Sequence, residues 1–262
     1  LTAKAEPLPE VTYLDANGAE QTCTEYTLVD SSTSGASWYA GWYVVKKDAD
    51  VTIKSENEYM DGVSINGDVN LILCDGASLT FSGNNAISTV YSSLTIYAQS
   101  TGNNMGVLNA EGGWQGISTF NGNVNIIGGS IVSGPIISQN GNITISGGSV
   151  DVAATANAGY GIEADEGSVT ISGGTVKAKG GYNSAISANN GITISGGTVT
   201  ATATGGGAIG INGNNNTVTI SGGKVTASGP MGAINFATVK NTIAGTGWTN
   251  TDDTDDMADI HV

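Results

Sequence analysis

One five-residue phrase, Thr-Ile-Ser-Gly-Gly, recurs at Thr144 to Gly148, Thr170 to Gly174, Thr193 to Gly197 and Thr219 to Gly223. A worn copy stands at Asn125-Ile126-Ile127-Gly128-Gly129. Two places after the second glycine a β-branched residue follows each time: Ile131, Val150, Val176, Val199 and Val225. Self-similarity at a fixed period marks units that cannot bury an apolar face alone and must stack on their neighbours. With the first isoleucine of each phrase as anchor, the pattern extends back through Ile96, Leu73 and Ile53 and forward to Ile243, at a mean period of about 24 residues.

Inside one period, Asn142 to Glu166, the chain splits into three short alternating runs: Ile143-Thr144-Ile145, Ser149-Val150-Asp151-Val152 and Gly161-Ile162-Glu163-Ala164. Glycine and asparagine, which accept positive φ, separate them, so each run reads as a strand and each break as a tight turn. Three strands per period close a triangular coil whose strands pair with their counterparts in the next coil, roughly 4.8 Å away. The connection rule for parallel strands sets the hand. The expected fold is therefore all-β: a right-handed, single-stranded parallel β-helix of about nine to ten three-stranded coils. Ile and Val fill its interior, and Thr144, Thr170, Thr193 and Thr219 form an outward row. Residues 1–45 hold two of the four tryptophans and several tyrosines, and read as an N-terminal cap with the first coil. Residues 46–262 are the repeats, closed by an acidic loop, in one domain overall.

Composition narrows the chemistry. Among 262 residues there are 40 glycines and no arginine, the net charge is −15, and the one histidine is His261. Such a chain repels phosphate backbones and anionic lipid surfaces, so no nucleic-acid partner is expected. No apolar stretch approaches the roughly 18 residues of a membrane span, so no membrane insertion is expected either. The start, Leu1-Thr2-Ala3-Lys4, lacks a signal peptide's apolar core, and the expectation is an exported chain whose signal has been removed. The two cysteines are not spaced for metal or redox work. Cys74, after Leu71-Ile72-Leu73, reads as a buried thiol, and Cys23 stays open between thiol and disulfide.

The phrases Gly41-Trp42-Tyr43-Val44-Val45, Gly67 to Ala77 (Gly-Asp-Val-Asn-Leu-Ile-Leu-Cys-Asp-Gly-Ala) and Ser93-Leu94-Thr95-Ile96-Tyr97 carry a likeness. Over roughly residues 38 to 250 the chain resembles a β-helix module of secreted surface proteins of gut and clostridial bacteria. Some related β-helices bind cellulose or polygalacturonate without evident catalysis. The resemblance implies an extracellular or cell-surface, carbohydrate-binding or adhesive role. It carries no binding motif onto named positions.

Sugar rings stack on flat aromatic faces, with hydroxyls turned to Asn, Asp and Ser. Trp114, Tyr160 and Tyr182 precede Ile117, Ile162 and Ile186 by two to four residues and so share one corner of different coils. They are the carbohydrate-binding residues expected from the sequence, with a plant cell-wall or host polysaccharide as partner and a monomer as the assembly. Catalysis is not expected. A lyase needs a strong base beside an electropositive site, and Lys177, Lys179 and Lys224, the basic residues of the repeat body, read as a solvated face. A glycoside hydrolase needs two carboxylates, for which Glu163 and Asp165, outward on one strand about 7 Å apart, are the fallback pair. Asp252, Asp253, Asp255 and Asp256 offer the oxygen ligands of calcium without an EF-hand's loop, and no other cofactor is expected. A structural stalk is the remaining alternative, and an ice-ordering threonine face the remotest.

Overall fold

The computed structural model describes residues 8–30, 32–33, 37–57, 59–154, 159–214, 216–235, 238–241, 249–250 and 260–261. It is a right-handed parallel β-helix, and no described residue is helical. Its three faces follow from the three runs of the repeat. Face A stacks Thr27–Val29, the ends of Ser37–Val45 and Val63–Leu73, then Leu94–Ala98, Val124–Ile126, Ile143–Ile145, Val169–Ile171, Ile192–Ile194, Thr217–Ile220 and Thr238–Asn241. Face B runs from Asp50–Lys54 to Lys224–Ser228, and face C from Ser37 to Asn235. Eight coils between Tyr43 and Asn235 are complete on all three faces, with partial coils at each end, slightly fewer than the nine to ten expected.

The predicted ladders hold in the repeats: Thr144, Thr170, Thr193 and Thr219 stand in one register, and Ile145, Ile171, Ile194 and Ile220 in another. Two ends of the anchor series are displaced. Ile53 belongs to face B, opposite Phe81, and Ile220 stands beside Asn241 rather than Ile243. Leu71, not Leu73, is the partner of Ile96. Backbone bonds between coils are supplemented at the turn from face C to face A. There Asn123 Oδ1 accepts the Asn142 N–H (2.8 Å), and Asn142 Oδ1 accepts both the N–H and the hydroxyl of Ser168 (2.9 Å each). Each side chain thus satisfies a turn donor that the parallel ladder leaves free.

The core is a column of buried Val, Leu and Ile, closed at its first coils by larger rings. Trp38 stacks flat on Tyr43, with centroids 4.3 Å apart, and meets the edge of Phe81. Beside the column lies a second, smaller cluster. A hairpin of Val11–Leu14 and Glu20–Cys23 covers outward-facing Val44 and Ile72, with Tyr13, Trp42 and Tyr97 mutually in ring contact. The N-terminal segment therefore clasps the side of face A as well as supplying the first coil. Cys23 and Cys74 both lie in this cluster as buried free thiols, and burial pushes Cys74 up to about 11. Residues 252, 253, 255 and 256, the acidic run, lie outside the described residues.

Candidate functional site: the trough of face C

Face C strands are two or three residues long in the later coils, one inward pair around one outward residue. The outward row reads Ser64, Ser88, Ser118, Ile137, Glu163, Ser187, Asn212 and Asn235. Outward side chains on face B meet solvent, as Asp151 and Lys177 do, and on face A the row is half-buried at Thr144, Thr170 and Thr219 and exposed at Thr193. Face C is covered further: Ser187 is 0% exposed, Ile137 7%, and the rest of the row is half-buried. With side chains covered mid-row and a hollow over its first coils, we read the row as the floor of a trough along the helix axis.

The rims carry aromatic rings. On the corner from face B to face C stand Tyr59, Trp114 and Tyr182, 65% exposed or more, with Tyr160 half-buried between the last two. On the opposite corner stand Tyr91 and Phe120, and Tyr39 lies at the first strand of face C. These six exposed aromatics all border face C among the described residues. Apart from Tyr160, the remaining described rings lie in the core or in and under the hairpin. Trp114, Tyr160 and Tyr182 do share one corner, as their spacing predicts, with Trp114 two coils before Tyr160, roughly 10 Å at the coil repeat. Tyr59, Tyr91 and Phe120 were missed. A usable signal existed for two of them, since Ile87-Ser88-Thr89 and Ile117-Ser118-Thr119 are copies followed within two residues by Tyr91 and Phe120. At the start of the trough a cavity of about 850 Å³ is bordered by Tyr59, Met60, Asp61, Asn84, Asn85 and Lys54, among others.

Glu163 sits mid-floor. It is half-buried, and the strand ends at Ala164, so the expectation of both carboxylates on one strand holds for Glu163 alone. Burial, then the nearby charge of Asp165, pushes its carboxyl up to about 7. Tyr160 feels the same surroundings, its phenol raised first by burial and then by the charges of Glu163 and Asp165. Asp165 itself lies just past the strand, exposed, and accepts a hydrogen bond from Asn189 Nδ2 (3.1 Å). From there amides continue along the trough: Asn214 donates to Asn189 Oδ1 (2.6 Å) and to Ser187 Oγ (3.0 Å), and Asn235 donates to Asn212 Oδ1 (3.0 Å). The lysines Lys177, Lys179 and Lys224 are exposed on face B, Lys177 and Lys224 away from this floor and Lys179 at the corner that leads to it. No group of three or more His, Cys, Asp or Glu side chains converges as a metal site among the described residues.

Because the folded carboxyl of Glu163 holds its proton more tightly than an unfolded glutamate near 4.3, stability falls as pH rises between about 4.3 and about 7. Glu163→Gln is expected to flatten that part of the profile, measured by urea unfolding at pH 5 and pH 8. An unchanged slope would place the glutamate in solvent.

A family model described as a beta helix repeat matches residues 169–190 and 218–247. Each segment opens on an intact copy of the Thr-Ile-Ser-Gly-Gly phrase, Thr170 to Gly174 and Thr219 to Gly223. No curated protein and no solved structure matches the chain.

Proposed function

We propose that the chain is an extracellular, non-catalytic polysaccharide-binding or adhesive β-helix module of a bacterial surface, which lays a glycan strand along the trough of face C. The observation that supports this most is the segregation of exposed aromatic rings to the two rims of that one trough. A floor of Ser, Asn and Glu offers donors and acceptors to hydroxyls, while rings on either side offer apolar faces to the C–H surfaces of pyranoses. An elongated groove suits a polymer better than a small molecule, because ring positions repeat along the axis at multiples of roughly 4.8 Å.

One observation favours a second reading. A half-buried carboxyl held near 7 with a second, exposed carboxyl beside it is the pairing that a general acid and its partner need in glycoside hydrolysis. Both readings are tested together by pulling the purified chain down on insoluble polysaccharides and on glycan arrays, scored for retention and for released reducing ends. Retention without release is the expected result. Release that disappears in Glu163→Gln would make the chain a hydrolase, and retention on no glycan would leave a structural stalk.

A further inference from the structure

The trough's charge narrows its ligand. Floor and rims carry Glu56, Asp61, Glu163, Asp165 and Glu166 against two of the described lysines, Lys54 beside the first cavity and Lys179, which holds the matching register at the end of face B one coil after Glu163. Glu163 is the central floor residue, and no hydrogen bond within the protein engages its carboxyl among the described residues. Above about pH 7, where Glu163 ionises, a uronate laid over it would bring a second carboxylate against a half-buried charge, where like charges are poorly screened, with the exposed Asp165 beside it. Carboxylate recognition without a metal is strongest with guanidinium or ammonium donors at the contact, and the donors that run along the floor beyond Glu163 are the neutral amides of Asn189, Asn212 and Asn214.

Resting on the binding reading above, we infer that the trough is selective for uncharged glycan chains and excludes uronate polymers, with Glu163 and Asp165 as the residues that enforce the exclusion. The same two side chains that reject an anion serve a neutral sugar well, because carboxylates are strong acceptors for paired hydroxyls. Selectivity of this kind is built by an unfavourable contact with the wrong ligand as much as by a favourable one with the right ligand.

The test is affinity electrophoresis at pH 8 in gels containing cellulose ether, mixed-linkage β-glucan, xylan or galactomannan, against polygalacturonate with chelator and with calcium. Wild type should be retarded by at least one neutral polymer and not by polygalacturonate in chelator. Glu163→Gln/Asp165→Asn should gain several-fold in retardation by polygalacturonate. Asp50→Asn/Asp151→Asn, which removes the same charge from face B, should gain little, separating a local effect from the net charge of −15. Trp114→Ala distinguishes the two levels of the argument. Retardation by polygalacturonate in chelator that depends on Trp114 would keep the trough as the site and overturn the selectivity. Retardation in calcium alone that depends on Glu163 would overturn it as well, by making the pair a cation bridge. Retardation by no polymer, or none that depends on Trp114, would overturn both. Equal gains in the two double variants would assign the exclusion to the whole chain rather than to the trough.

Discussion

A Trp114→Ala/Tyr182→Ala variant should lose at least about tenfold in affinity for any polysaccharide the chain retains, which corresponds to about 1.4 kcal/mol. Both rings stand mostly in solvent on the same rim, three coils apart. Their removal therefore takes away ligand surface without opening the core. Truncating an exposed side chain away from such features typically shifts stability by less than about 0.5 kcal/mol, so the thermal midpoint should hardly move. That separation makes the result interpretable: affinity falls while the fold stays. Val132→Ala is the matching control, an exposed apolar residue on face B. The measurement is retardation in affinity gels across polymer concentration, with thermal unfolding in parallel. Equal retardation of the double variant and wild type would return the rim rings to the role of turn covers.

How far the sequence carried this picture depended on which side of each strand was open. In the face A strands from Ile143 to Ile194 the flanking apolar residues are buried and the middle threonine is not, so period-two alternation is clean and the register can be read directly. At Leu71-Ile72-Leu73 the alternation vanishes, because Ile72 faces outward yet is buried beneath the hairpin. With both sides covered, a strand reads as a continuous apolar run, and the anchor slipped by two residues. The same covering explains why Cys74 and Cys23 end in one cluster although they are far apart in the chain. The rim residues Trp114, Tyr160 and Tyr182 were legible because each precedes an inward isoleucine at nearly constant offset. The depth of the trough was not legible. It depends on what covers the outward side chains, so Glu163 looked like an ordinary surface carboxylate until its surroundings were in view. Tyr59 sits in a turn with no copy of a repeated phrase beside it, so no period betrays it, whereas Tyr91 and Phe120 follow the Ile-Ser-Thr copies and could have been found.

Gly174→Val should destabilise the chain by roughly 3 to 5 kcal/mol, enough to threaten folding of a domain with ordinary marginal stability. Two costs combine. The second glycine of the phrase adopts positive φ in every copy, +78° at Gly174, where a β-branched residue is strongly disfavoured. A Cβ added there would also lie 2.7 Å from the Gly148 carbonyl oxygen and 2.8 Å from the Gly147 carbonyl carbon. Those atoms are backbone of the coil above, held by the parallel ladder, and cannot swing aside as a side-chain tip could. The glycine column thus exists because each turn is stacked on the last at strand spacing, and the phrase repeats because every coil meets the same constraint. Gly206→Ala is the control: an added Cβ meets nothing within 4 Å and φ is not in the left-handed range, so its unfolding midpoint should match wild type. In a solenoid each coil is stabilised chiefly by its two neighbours, so damage at Gly174 should split the transition rather than shift it whole. Urea unfolding followed by circular dichroism reads both effects. A Gly174→Val protein that unfolds in one step at the wild-type midpoint would mean that the coils are not stacked as tightly as the ladder requires.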